Sequence, residues 1–198
     1  MSQPRLLLTG FGPFPGAPRN PTGEVAARVA ALSSRLGVTV VPHVFPTTWA
    51  ALDGLGDLLA ATRPDAVLHL GLARRARAVR VEAVARGFAA PWGADAVGAA
   101  PPAGLLGDER PFFVGVRMPV RRIAERIAAS GAAVEISDDA GAYLCNGLLR
   151  RSLAIGDRPT GFLHLPPVGV IARDGTRVTL PGLARTVAAA IAALVTSR

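Results

Sequence analysis

The stretch Ser137-Asp138-Asp139-Ala140-Gly141-Ala142-Tyr143-Leu144-Cys145-Asn146-Gly147 carries the single cysteine of the chain and sets it where a helix is expected to begin. Tyr143, Leu144, Leu148, Leu149 and Leu153 recur at helical spacing, and Ser137, Asp138 and Asp139 supply cap-type residues ahead of them. Ala133 to Ile136 reads as a strand running into this segment, so the stretch is the turn of a strand–helix unit. A lone cysteine excludes an internal disulfide. Three histidines and scattered carboxylates are a poor complement for a structural zinc, so no metal or other cofactor is expected.

Two readings of Cys145 then stand side by side. Free cysteine is among the most frequently buried residue types and is inert when packed in a core. At the start of a helix, however, unpaired amides and the positive end of the dipole favour negative charge, which suits a sulfur nucleophile. Such a nucleophile needs a base. His164 lies in Thr160-Gly161-Phe162-Leu163-His164-Leu165-Pro166, a short buried strand closed by a proline, and a strand end is a usual place for a catalytic histidine.

Outward from this pair, the chain alternates strands and helices. Residues 5 to 9 form an apolar first strand closed by Gly10, followed by an irregular loop to Pro21 that contains Phe11 and Phe14. A helix from Thr22 carries Val25, Val29, Leu32 and Leu36 on one face and stops at Gly37. Val38 to Val44 is a second strand, and a threonine of Pro46-Thr47-Thr48 caps a helix carrying Leu52, Leu55, Leu58 and Leu59. Ala66 to Leu70 is another buried strand, in which His69 reads as a satisfied core or strand-end histidine. Ala78 to Ala85 reads as one strand with Glu82 set among valines. Residues 86 to 111 read as a long loop, mobile or oligomer-facing, which keeps a homo-oligomer open. Helices from Pro119 to Gly131 and from a Thr179 cap complete the pattern. The expectation is an α/β fold: one domain over residues 1–198, with a twisted, mainly parallel sheet and helices on both faces.

Taken together, Ala140-Gly141-Ala142-Tyr143-Leu144-Cys145-Asn146, Gly161-Phe162-Leu163-His164-Leu165-Pro166 and Leu8-Thr9-Gly10-Phe11-Gly12-Pro13-Phe14 with Asn20-Pro21 resemble the pyroglutamyl peptidase I family of cysteine peptidases. The match is colinear and nearly end to end, taking in Pro64 to Gly71, Val81 to Ala85 and Met118 to Ile123. The resemblance implies a Cys145–His164–Glu82 triad, with Glu82 orienting the histidine. It also implies substrate contacts from Phe11, Phe14, Asn20, Thr47, Tyr143 and Leu144, with the two phenylalanines lining a pocket for the pyrrolidone ring. The implied substrate is a peptide or small acyl-amide from which an N-terminal pyroglutamyl or similar group is removed.

Around the site the sequence departs from the family. Leu72 stands where a pocket glutamine is common, and Arg74-Arg75 replaces a glycine pair. Gly87 and Trp92 stand at an asparagine and an arginine position. Gly147 replaces a histidine, and Pro167-Val168-Gly169 lacks an acidic residue. Nucleophile, base and acid are intact while polar substrate contacts are not, so a catalytically weakened or inactive relative that binds small molecules or peptides is the alternative.

Composition narrows the partners. Half of the 198 residues are apolar and only 18% are charged, which suits a packed globular core. The formal charge is +8 and every basic side chain apart from the histidines is arginine, a bias that fits GC-rich codon usage. The arginines are dispersed and lack interleaved aromatic residues, so no specific nucleic-acid partner is expected. The Leu6-Leu7-Leu8 run stops at Thr9, too short for a signal core, and charges or prolines interrupt the longer apolar runs. A cytoplasmic protein without membrane attachment is expected, in a compartment that keeps the thiol reduced.

Overall fold

Apolar residues alternate between two helical layers along the central strands, and this alternation builds the molecule. In the computed structural model, which describes residues 3–87, 93–102 and 112–195, six strands form one sheet. They are β1 (Arg5–Phe11), β2 (Thr39–Phe45), β3 (Ala66–Leu72), β4 (Val79–Glu82), β7 (Val134–Ser137) and β8 (Thr160–Leu165), in the spatial order β2-β1-β3-β8-β4-β7. All neighbours are parallel except β4 and β8, which run antiparallel. The expectation of a mainly parallel sheet holds.

Leu6, Leu8, Leu68, Leu70, Val79, Val81, Leu163 and Leu165 face one side of the sheet. There they meet α1 (Thr22–Ala30), α4 (Val120–Ala129) and α6 (Leu180–Val195). Leu7, Val67 and Phe162 face the other side. They pack against a 3₁₀ turn (Ala50–Gly54), α3 (Leu55–Thr62) and α5 (Leu144–Ala154). With side chains alternating along β4 and β8, Arg80, Glu82 and His164 fall on the α5 face.

Three elements differ from the sequence expectation. The helix from Thr22 stops at Ala30 and a separate turn, α2 (Ser33–Leu36), follows before the left-handed Gly37. Ser33 Oγ donates to the Ala30 carbonyl at 2.6 Å, a side-chain bond that competes with continuation of the ladder. The strand expected over 78–85 breaks at Ala83: β4 ends at Glu82, and β5 (Val84–Arg86) pairs antiparallel with β6 (Phe113–Gly115) in a second small sheet. The Ala83 amide donates to the Ser137 carbonyl, while the Ala83 carbonyl accepts from Val116, so the chain changes sheets at that residue. The long loop expected over 86–111 therefore begins inside a strand. Its residues 88–92, including Trp92, and 103–111 lie outside the described residues.

Candidate active site

Cys145 is the second residue of α5 and is partly exposed. The cap residues expected ahead of it serve a different turn. Ser137 Oγ accepts from the Asp139 amide at 3.1 Å, and Asp139 Oδ1 accepts from the Gly141 amide at 2.8 Å. The helix begins instead after an extended Tyr143, with no side chain capping it. Its first amides are thereby left around the sulfur as donors for a negative group.

Across the sheet end, His164 is buried and its Nδ1 lies 2.8 Å from Oε1 of Glu82, which is fully buried. Cys145 is the other group that acts on the imidazole, and Nε2 is the ring nitrogen that remains for it. Burial pulls the imidazole pKa down, but the neighbouring Cys145 and the Glu82 carboxylate favour its charged form and raise it to about 9. Phe162, two residues earlier on the same face, lies against the ring at a centroid distance of 4.7 Å. Sulfur, imidazole and carboxylate thus form a connected series assembled from α5, β8 and β4.

Gly71, at the end of β3, makes room for this series. A Cβ there would lie 2.8 Å from Cys145 Sγ and 2.7 Å from the Phe162 ring. Asn146 secures the other side. It donates from Nδ2 to the Arg86 carbonyl at 2.9 Å and accepts the Arg86 amide on Oδ1 at 2.7 Å, tying α5 to β5. Neither role was anticipated from sequence, although a glycine closing an apolar strand is a signal of close approach.

The remaining expected site residues divide by position. Phe14, Pro15, Leu72, Arg74, Ala94, Asp95 and Tyr143 line one cavity, so Leu72 shares a cavity with the expected substrate contacts Phe14 and Tyr143. Phe11 is buried at the end of β1, 6.3 Å from the Phe45 ring centroid, and is not among the residues lining that cavity. Asn20 and Thr47 both donate to the Gly12 carbonyl, at 3.0 and 2.8 Å, and hold the loop that carries Phe14. Thr48, not Thr47, accepts from the Ala51 amide at the following helical turn. Tyr143 stacks edge-on against Trp49 and donates its hydroxyl to the Ala94 carbonyl, while Leu144 is buried beneath it. His69 is fully buried with Nδ1 2.8 Å from Thr9 Oγ1, and burial lowers its pKa to about 3, so it is a neutral core histidine. Among the described residues no group of His, Cys, Asp and Glu is arranged to hold a metal, and no helix is long and apolar enough to cross a membrane.

A thiol at a helix start, beside a histidine that is held by a buried carboxylate at the end of an interior strand of an α/β sheet, is the constellation of a cysteine peptidase. The comparisons with known proteins make the assignment specific: residues 4–197 match the pyroglutamyl peptidase family, and the chain belongs to it. A pyrrolidone-carboxylate peptidase of Levilactobacillus brevis is 30% identical over 200 residues, covering 96% of this chain and 97% of that protein. One from Gloeobacter violaceus is 35% identical over 168 residues, covering 82% of this chain and 81% of its own. Among solved structures, pyrrolidone carboxyl peptidase from Thermus thermophilus superposes with a TM-score of 0.83 at 31% identity, over 93% of this chain and 97% of that one. The chain is a cysteine-type peptidase of this family.

Proposed function

We propose that the protein removes N-terminal pyroglutamyl groups from peptides, with Cys145 as nucleophile, His164 as acid–base and Glu82 as the group that orients the imidazole. The observation that carries this reading is the unbroken series from Cys145 through His164 to Glu82, with the sulfur at the uncapped start of α5. The sulfur attacks the acyl carbonyl, and the oxyanion that forms is held by amides at the helix start. As the carbon–nitrogen bond breaks, His164 gives its Nε2 proton to the leaving amine. Water then attacks the thioester, His164 takes its proton, and the free acid and the sulfur anion are released.

The cavity of Phe14, Leu72 and Tyr143 is the candidate seat of the lactam ring. Leu72 offers the ring no hydrogen bond, and sites that pair a substrate amide discriminate far more strongly than apolar slots. Slow pyroglutamyl release is therefore expected, with prolyl and other small acyl groups handled comparably. A lone thiol that must stay reduced fits a cytoplasmic setting. The test is release of an aromatic amine from pyroglutamyl and prolyl amides by the wild-type protein and by Cys145→Ala. Comparable slow turnover of both amides, lost in the variant, supports the reading. A strong pyroglutamyl preference would show that other residues replace the missing contacts. Absence of turnover would leave a binding protein on this fold.

A further inference from the structure

Arg80 and His164 are register partners across the antiparallel β4–β8 pair, so their side chains stand next to each other on the α5 face. Arg80 belongs to a second cavity, lined also by Arg74, Arg75, Arg77, Glu135 and Arg173. Its charges are unevenly matched. Glu135 pairs with Arg80 at 3.3 Å and also with Arg173, and Arg80 further donates to Ser137 Oγ and lies 3.8 Å from Glu82. Arg74, Arg75 and Arg77 are exposed and have no carboxylate partner among the described residues; Arg74 reaches only the Gly16 carbonyl, at 3.4 Å. Arg74 lines both this cavity and the one holding Phe14, Leu72 and Tyr143, so the two adjoin.

This arrangement fixes a direction. If the acyl group occupies the cavity of Phe14 and Leu72, the leaving amine departs toward the imidazole that protonates it. On that side the register partner of His164 is Arg80, which shares its cavity with Arg74, Arg75 and Arg77 of the β3–β4 connection. We infer that the arginine-lined cavity is the leaving-group subsite and selects peptides carrying a carboxylate on the first residue beyond the scissile bond. The inference rests on the function proposed above and adds the substrate class. The Arg74-Arg75 pair thus becomes a specificity feature of this chain.

The test compares kcat/KM for pyroglutamyl-glutamate amide and pyroglutamyl-glutamine amide, which differ by one charge at nearly equal shape. At low salt the acidic peptide is expected to be preferred about tenfold, the combined effect of several exposed charge contacts that are individually weak. The preference should shrink to about twofold near 0.5 M salt, where screening is nearly complete over these distances. In an Arg75→Gln/Arg77→Gln double variant the ratio should fall toward one. The salt series needs only wild-type protein and stands if the variant folds poorly. Pyroglutamyl-alanine as free acid and as amide separates the sources of charge: a gain confined to the free acid assigns the subsite to the terminal carboxylate. Equal cleavage of acidic and neutral peptides overturns the inference and leaves the proposed function intact. Cleavage of neither overturns both.

Discussion

Gly71 lies directly beneath the sulfur of Cys145: a methyl group at Gly71 would sit 2.8 Å from Sγ and closer still to the Phe162 ring. Both distances are well inside van der Waals contact, and Phe162 is buried, so the strain falls on the sulfur or on the core. Gly71→Ala is expected to cost about 1–3 kcal/mol from overpacking. If the sulfur is the nucleophile, its displacement by about 1 Å should lower kcat/KM by about 10²-fold. Thermal unfolding and turnover of the variant check this; full activity would mean that the sulfur reacts from another position.

The Glu82–His164 contact is expected to set the upper pH limit of activity. The imidazole pKa, raised to about 9 from 6.5, keeps the ring charged through neutral pH, and Glu82 contributes to that rise by its hydrogen bond and its charge. Removing the negative charge in Glu82→Gln should lower the histidine pKa, so the alkaline fall in kcat/KM should move to lower pH, with a loss of about 10²-fold or more at the optimum. A pH–rate profile decides it. An unmoved alkaline limb would assign that limb to another group.

His69 affects stability in acid. Its folded-state pKa of about 3 lies below the unfolded value of 6.5, so between these pH values the unfolded chain binds a proton that the folded chain does not. Stability is therefore lost as pH falls through that window, at up to about 1.4 kcal/mol per pH unit from this one group. His69→Gln should flatten the acid limb of a denaturation series relative to wild type. An identical acid slope would show that His69 is protonated inside the fold.

Much of this was legible in sequence, because periodicity and punctuation act locally. The strands at 66–72 and 160–165 and the Thr179 cap, which accepts the Gly182 amide at 3.1 Å, follow from the pattern around them. Cys145, His164 and Glu82 were placed by short motifs, and the fold brings them together. The break at Ala83 was not legible, since it depends on bonds to Ser137 and Val116, distant in the chain. Nor was the failure of Ser137 and Asp139 to cap α5, because their side chains satisfy a nearer turn. The adjacency of Arg80 to His164 depends on β4 running antiparallel to β8 inside an otherwise parallel sheet, a choice that local sequence does not encode.

The single cysteine makes the central claim directly measurable. Iodoacetamide can modify only one thiol in this chain, so the extent of carboxamidomethylation and the remaining pyroglutamyl-amide turnover can be followed on the same samples. Turnover should fall in strict proportion to modification of Cys145 and reach zero at one equivalent, with modification near neutral pH slowed in His164→Ala. Turnover that survives complete modification of Cys145 would contradict its role as the nucleophile.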